Sequence, residues 1–371
     1  MHIALLSATT FAAALPDDIT ACQGYGSESS NATLALGLSD LGHNVEFYAP
    51  IGSSRSISPK VYYHPIKNSH GDHIDELLDT CAADGSKYTD LLNVDFVISA
   101  EKLCHNIEQL YYHNPTFKRY CCYRSGYADY VYPLGLSAER RHYVTHCKYF
   151  QDEFRKAGYE ADVCFFGINP FWTRDLYGEF WAWFESKYSI VQGKYWLFPH
   201  RPSYDKGIDV VLRLAAAFPD QVFVISTASP LPDHKRVMKE CKRAVIDKRL
   251  DNVKFVDIPE TPYYQFHRRA LISGAKAVLC PFPYPSPYLD TGGLAGAEAM
   301  RCGTPLLVTR SPGSEEWWGD QDEKGVVFID GYDGARMAIK NWSTYDLRPT
   351  CPYTVEAYAK DYIKVIEKYT T

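Results

Sequence analysis

The sequence contains no run of about 20 apolar residues, the length that a membrane-spanning helix requires. Its first residues, MHIALLSATTFAAALPDD, lack the basic segment that precedes the apolar part of a secretory signal peptide. We therefore expect neither a transmembrane anchor nor a signal peptide, and we expect a cytoplasmic location.

Cysteine pairs at metal-binding or redox spacing are also lacking. The chain has 11 cysteines, an odd count, and no CxxC motif. Neither a disulfide framework nor a zinc site is predicted, and most of the cysteines are expected to be buried thiols. The segment HGDH, from His70 to His73, would suit a metal-dependent hydrolase, but such a polar segment more often forms a surface loop.

No GxxxxGK[ST] loop occurs, so ATP hydrolysis is not indicated. No DxD follows an apolar strand either, so the carboxylate pair that would hold a divalent ion on a diphosphate is missing and no metal is expected. The formal net charge of -6 over 371 residues argues against bulk electrostatic binding of nucleic acid. A local basic patch stays open as an alternative.

Strands and helices alternate along the chain, which is typical of parallel α/β sheets. With 371 residues and 46% hydrophobic content, the chain is long enough for two cores. We predict Rossmann-like, doubly wound domains over residues 1–169 and 194–350, which face each other across a cleft. Residues 170–193 are rich in aromatics, and we expect them to connect the domains and pack between them rather than lie in a membrane interface.

A glycine-rich loop in the second domain predicts an anion site. The stretch DTGGLAGAEAM lies between two apolar segments that look like buried strands, and a helix is expected to begin near Gly293. The first turn of such a helix presents backbone N–H groups and the positive dipole end at the carboxyl end of a strand. Glu298 follows Leu294 by one helical turn, where a carboxylate accepts hydrogen bonds from sugar hydroxyls. Phosphate and ribose together indicate a nucleotide.

The loop HRPSYDKG supplies positive charge near the same place. Arg201 directly follows a predicted strand and Lys206 stands at the start of the next helix. Taken alone, this motif is weak, because lysine and arginine are common at the starts of surface helices. Together with the loop at Gly293, at the carboxyl end of a strand in the same sheet, they are predicted to hold one diphosphate.

A further candidate donor loop lies in the first domain. The stretch GYGSES, with Gly24 and Gly26, is half of a GxGxxG fingerprint with Ser29 where the third glycine would stand. It does not directly follow its strand, so it is a poor dinucleotide motif.

Several segments, in order along nearly the whole chain, carry a family resemblance. HRPSYDKG resembles a GR-x-x-x-x-KG loop, DTGGLAGAEAMRCGTPLLV resembles EGFGLxxxEAMAxGTPVV, and PGSEE resembles a GG-x-x-E turn. GLSDLGHNVEFYAP and FFGINPFW match two further segments. The chain thus resembles the retaining GT-B glycosyltransferases of glycosyltransferase family four. The resemblance also implies that residues 351–371 form a helix crossing back to the first domain.

For the donor, the resemblance implies three sets of contacts in the second domain. Arg201 and Lys206 would bind the diphosphate, and the backbone N–H groups of Gly293 and Leu294 would contact the same phosphates. Glu298 would hold the ribose hydroxyls.

At the reacting centre the chain departs from the family pattern. Asp290 takes the place of the first glutamate of the E-x7-E pair, near the transferred sugar, and is one methylene shorter. Arg124 or Ser125 stands where a histidine of the first domain is expected. Arg124 is therefore a candidate for phosphate or sugar contact, or a salt-bridged arginine at a strand end.

The implied activity is transfer of a sugar, of hexosyl type, from a nucleotide donor such as a UDP- or GDP-sugar to an acceptor hydroxyl, with retention and without metal or cofactor. A non-catalytic nucleotide-sugar-binding or scaffold protein is the alternative, because Asp290 and Arg124 differ from the family pattern. The acceptor stays open between glycan, lipid, protein and small molecule, and DNA is not favoured. The basic segment Ala138 to Lys156 would suit an anionic acceptor or peripheral membrane contact, although a solvated face is favoured.

Overall fold

The structure is a computed structural model, and it describes twelve ranges of the chain. These are residues 1–7, 15–18, 26–50, 52–66, 94–100, 120–123, 141–174, 178–226, 232–258, 263–283, 293–319 and 325–370. The chain forms two compact units. Unit 1 consists of Met1–Pro170 with Tyr353–Thr371, and unit 2 of Phe171–Pro352.

Unit 1 contains a seven-stranded parallel sheet in the order β3-β2-β1-β4-β5-β6-β7. Its strands are β1 (His2–Leu6), β2 (Asn44–Pro50), β3 (Val61–Ile66), β4 (Phe96–Ala100), β5 (Tyr120–Tyr123), β6 (Arg141–Thr145) and β7 (Ala161–Val163). Its helices are α1 (Gly26–Asp40), α2 (Lys148–Lys156) and α10 (Val355–Thr370). Gly37 of α1 packs so closely on α10 that an added Cβ would lie 2.9 Å from Ala359. The last helix is thus part of unit 1.

Unit 2 contains a six-stranded parallel sheet in the order β10-β9-β8-β11-β12-β13. Its strands are β8 (Tyr195–Phe198), β9 (Val222–Ser226), β10 (Val253–Val256), β11 (Ala277–Cys280), β12 (Leu306–Thr309) and β13 (Val326–Ile329). Its helices are α3 (Glu179–Tyr188), α4 (Ile208–Ala217), α5 (Pro232–Asp247), α6 (Tyr264–Ser273), α7 (Gly293–Arg301), α8 (Pro312–Trp318) and α9 (Gly331–Lys340). Each of β8, β11 and β12 is buried along its whole length, because helices cover both faces of a doubly wound sheet. The predicted α/β class with two parallel sheets is confirmed.

Two strands of unit 1 have weak sequence signals. Strand β7 ends at Val163 although the apolar residues continue to Phe166, since the chain then turns against α10 and Gly167 packs on Tyr358 at 2.7 Å, measured from an added Cβ. Strand β3 contains Pro65, a residue that argues against a central strand. The sheet tolerates Pro65 because β3 lies at its edge.

The aromatic segment that was predicted as a connection packs within unit 2. Helix α3 buries Phe184, and Trp181 stacks on Tyr195 of β8 with ring centroids 6.0 Å apart. In the described ranges no helix has both the length and the apolar character needed to cross a membrane.

Candidate functional site

The chain order of the unit 2 sheet reverses between β8 and β11. Strand β8 is paired with β9 on one side and with β11 on the other, so the connections after β8 and β11 leave the sheet in opposite directions. Ligands of open α/β sheets bind in the crevice that such a reversal opens at the carboxyl ends of the strands. The loops predicted to bind a diphosphate follow these two strands.

The loops after β8 and β11 touch each other directly. Gly207 has a left-handed backbone, with φ of +79°, and a Cβ at this position would lie 2.0 Å from the carbonyl oxygen of Pro281. Two residues beyond β8, His200 Nε2 lies 3.0 Å from Cys280 Sγ at the end of β11. The glycine of the KG pair is therefore required by this contact, since any side chain would force the loops apart.

The two cations of the first loop share an acidic neighbour. Arg201 donates a hydrogen bond from Nη2 to Asp205 Oδ2 at 2.8 Å, and these side chains are 48% and 28% exposed. Burial opposes ionisation of Asp205, but hydrogen bonds from Ser203 and Arg201 and the charges of Arg201 and Lys206 lower its pKa. An exposed pair of this kind contributes about 0–1 kcal/mol. A phosphate can therefore replace Asp205 on Arg201 at little cost.

Helix α5 contacts the loop that carries Lys206. Lys206 belongs to a 3-10 turn, Tyr204–Lys206, whose Tyr204 hydroxyl donates to Glu240 Oε2 at 2.9 Å. His234, in the first turn of α5, is buried, and burial followed by the charge of Arg201 lowers its pKa. His234 is thus a neutral neighbour of Arg201 at pH 7. Sequence reasoning missed it because it follows a different strand.

Helix α7 begins at Gly293, as predicted, with Gly293 and Leu294 both half-buried in its first turn. The positive end of its dipole therefore lies at the carboxyl edge of the sheet, beyond β11. Gly296 brings α7 close to the sheet, because an added Cβ would lie 3.0 Å from Leu306 of β12 and 3.1 Å from Trp318. At the far end, the hydroxyl of Thr304 donates to the carbonyl of Ile272 at 2.8 Å. The EAMRCGTP element thus has a packing role in addition to its predicted binding role.

Glu298, the predicted ribose ligand, forms an ion pair that the sequence did not reveal. Arg268 of α6 donates from Nη2 to Glu298 Oε2 at 2.6 Å, and the side chains are 19% and 13% exposed. Burial raises the pKa of the Glu298 carboxyl, and the positive charge of Arg268 opposes that rise. A basic residue within α6 was the signal available in the sequence, but its partner depends on how two helices pack.

The remaining residues predicted for the site lie in other segments of the chain. Gly24, Arg124 and Asp290 lie outside the described residues, and their roles stay predictions. Gly26 is the first residue of α1. The PGSEE turn lies in α8, whose start is capped by reciprocal hydrogen bonds between Ser311 and Ser314.

Two other segments were predicted as alternatives, one for metal binding and one for surface binding. His70 to His73 lie outside the described residues. Where the structure describes the chain, no three His, Cys, Asp or Glu side chains are grouped so as to hold a metal ion. The basic segment ending at Lys156 includes strand β6 and helix α2, in which Arg155 and Lys156 pair with Asp152 and Glu153 at 2.8 and 2.6 Å.

No family model and no curated protein sequence matches the chain. Solved structures match over its whole length. A sucrose-phosphate synthase (tll1590) from Thermosynechococcus elongatus is 15% identical at a TM-score of 0.67, covering 100% of this chain and 95% of that chain. Anabaena Alr3699/HepE, in complex with UDP and glucose, is 12% identical at a TM-score of 0.68, covering 99% of both chains.

A third structure is the catalytic domain of starch synthase IV from Arabidopsis thaliana, bound to ADP and acarbose. It is 12% identical at a TM-score of 0.65, covering 100% of this chain and 98% of that chain. These likenesses show that the chain has the GT-B glycosyltransferase fold, with two parallel-sheet α/β units. The predicted fold class is therefore confirmed.

Proposed function

We propose that this chain is a glycosyltransferase that transfers a sugar from a nucleoside-diphosphate sugar to an acceptor hydroxyl. The observation that carries the proposal is the direct contact between the loops after β8 and β11, at Gly207 and Pro281. This contact brings the loop with Lys206 against the loop that leads to α7, at the switch point of the sheet. The nucleotides named with HepE and with starch synthase IV support the same class of donor.

The proposed chemistry places the donor diphosphate between these loops. Lys206 and Arg201 supply positive charge, and the start of α7 supplies backbone N–H groups and the dipole. When the bond between sugar and diphosphate breaks, negative charge grows on the departing phosphate oxygen. Groups that are already fixed around this oxygen stabilise the charge without reorganisation, which lowers the barrier.

We further propose that the transfer retains the configuration of the sugar and that the chain belongs to glycosyltransferase family four. Both points rest on the motif resemblance. In a retaining transfer the acceptor hydroxyl attacks from the face that the diphosphate leaves and passes its proton to the departing oxygen. No strong protein base is then required. Asp290 is proposed to contact the transferred sugar and Arg124 to contact phosphate or sugar. A hexose is the proposed transferred group.

A panel of UDP-, GDP- and ADP-sugars tests the proposal. Each compound is first tested for thermal stabilisation of the full chain, and those that stabilise it are then offered with candidate acceptors while release of nucleoside diphosphate is followed. We expect stabilisation by one nucleotide class and turnover with one sugar. Stabilisation without turnover would favour the non-catalytic nucleotide-sugar-binding protein. No stabilisation by any compound would contradict both.

Chelation of divalent ions should leave transfer intact. The reason is that Lys206, Arg201 and the start of α7 together supply the positive charge that a metal ion would otherwise place on the diphosphate. The measurement compares product formation in excess EDTA with that in Mg²⁺ or Mn²⁺, using the donor found in the panel. Activity that disappears in EDTA and returns with either ion would show that these groups are insufficient.

A further inference from the structure

The side chains of the Arg268–Glu298 ion pair are 19% and 13% exposed, so this pair is more buried than the surface pair of Arg201 and Asp205. Besides the 2.6 Å hydrogen bond, the Arg268 guanidinium lies over the ring of Trp172, 5.6 Å from its centroid. A half-exposed pair such as Arg201 with Asp205 is free to rearrange. The Arg268 guanidinium instead lies between Trp172 and Glu298, and both side chains of the pair are largely buried.

The positions of α6 and α7 have other supports than this pair. The hydroxyl of Thr304, three residues beyond α7, donates to the carbonyl of Ile272 of α6, and Gly296 packs α7 on Leu306 of β12 and on Trp318. A buried ion pair contributes less to stability than well-packed apolar side chains of the same size, because both charges lose their hydration. Stability alone therefore gives little reason for a charged pair here.

The other ionisable groups near Glu298 do not replace Arg268. Arg269, the next residue on α6, donates from Nη1 to the carbonyl of Phe171 at 3.0 Å and lies 4.4 Å over its ring. Burial raises the pKa of Cys302, which directly follows α7, to about 12, so it stays a neutral thiol. Tyr264 of α6 contacts the Arg268 side of the pair. Arg268 is thus the cation that holds the carboxylate.

We propose that Arg268 is a positioning residue for the donor ribose: it fixes the Glu298 carboxylate by one oxygen so that the other accepts from a ribose hydroxyl. This rests on the proposed function, because it takes Glu298 as the ribose ligand. Without Arg268 the carboxylate has no partner to fix its rotamer. It is also a buried acid without its nearest cation, so it takes up a proton more readily.

The test measures ribose discrimination, defined as the ratio of the affinity for a nucleoside diphosphate to that for its 2′,3′-dideoxy counterpart. The probe is UDP, GDP or ADP, whichever stabilises the chain in the panel, and affinities are measured by calorimetry. In the unaltered chain we expect a ratio of roughly tenfold or more, since a hydrogen bond to a carboxylate is lost. Both Arg268→Met and Glu298→Gln should bring the ratio close to one.

The matched control is Arg269→Met, which removes the same charge from the neighbouring position of the same helix. It should lower the melting temperature but keep the ratio. A second readout is pH: at neutral pH Arg268→Lys, which keeps the charge, should retain part of the ratio that Arg268→Met loses, and raising the pH should increase the ratio in Arg268→Met, whose Glu298 carboxyl takes up a proton more readily. If Arg268→Met does not fold, Arg268→Lys decides, and it should still reduce the ratio because lysine cannot reproduce the guanidinium geometry.

An unchanged ratio in the Arg268 variants beside a lost ratio in Glu298→Gln would overturn the positioning role while leaving the proposed function standing. An unchanged ratio in Glu298→Gln would overturn it as well, by removing Glu298 from the ribose. Failure of the unaltered chain to bind any nucleoside diphosphate would instead overturn the proposed function itself.

Discussion

Replacing Gly207 by alanine should lower the free energy of unfolding of unit 2 by about 3 kcal/mol and abolish nucleotide binding. The left-handed backbone costs a residue with a Cβ about 1–2 kcal/mol. The new methyl group would also lie 2.0 Å from the carbonyl oxygen of Pro281, and relieving such an overlap typically costs another 1–3 kcal/mol. The loops after β8 and β11 must separate, and the proposed diphosphate site lies between them.

Gly193→Ala is the matched control for this effect. Gly193 belongs to the same unit and has a similar φ, +70°, but nothing lies within 4 Å of a Cβ added there. This variant should lose only the backbone contribution, about 1–2 kcal/mol, and keep nucleotide affinity. Denaturant unfolding and calorimetry measure the two quantities. Equal losses in the two variants would show that the loop contact at Pro281 is unimportant.

Replacing Lys206 by alanine should weaken binding of the nucleoside diphosphate at least tenfold and leave the fold intact. A charge-assisted hydrogen bond to phosphate contributes about 1.5–3 kcal/mol, and tenfold corresponds to about 1.4 kcal/mol. Calorimetry with the diphosphate found in the panel measures the loss. The loss should shrink as salt is added, because charge contributes to the contact.

Lys239→Ala is the control, since it removes the same charge from an exposed position of α5 in the same unit. It should change affinity by less than about twofold, because the interaction of an exposed charge with a ligand that it does not contact is weakened by solvent and salt. Similar losses in Lys206→Ala and Lys239→Ala would indicate a general charge effect in place of a site. No loss in Lys206→Ala would remove this lysine from the diphosphate.

Much of the fold could be predicted because strands buried on both faces are nearly continuous apolar runs. The segments around Trp196 and Val278 stand out in the sequence for this reason, and each forms a strand buried over its whole length. Edge strands carry a weaker signal. Strand β3 tolerates Pro65, and β7 has three residues, so neither could be bounded from its pattern.

In the site, too, the parts set by local sequence could be predicted, and a contact between distant residues could not. The loop at Lys206 and the helix start at Gly293 follow from local sequence, and the structure places both after neighbouring strands at the switch point. The ion pair of Arg268 joins residues 30 positions apart in the sequence, on two helices. Its partner depends on the rotation and depth of both helices, which no spacing rule fixes.

The central claim is that a diphosphate lies between the loops after β8 and β11. A crystal structure of the full chain with the nucleoside diphosphate from the panel, grown in EDTA, tests it most directly. The account predicts phosphate oxygens within hydrogen-bonding distance of Lys206 Nζ and of the backbone nitrogens of Gly293 and Leu294. A diphosphate bound elsewhere on the chain, with none of these three groups in contact, would contradict it.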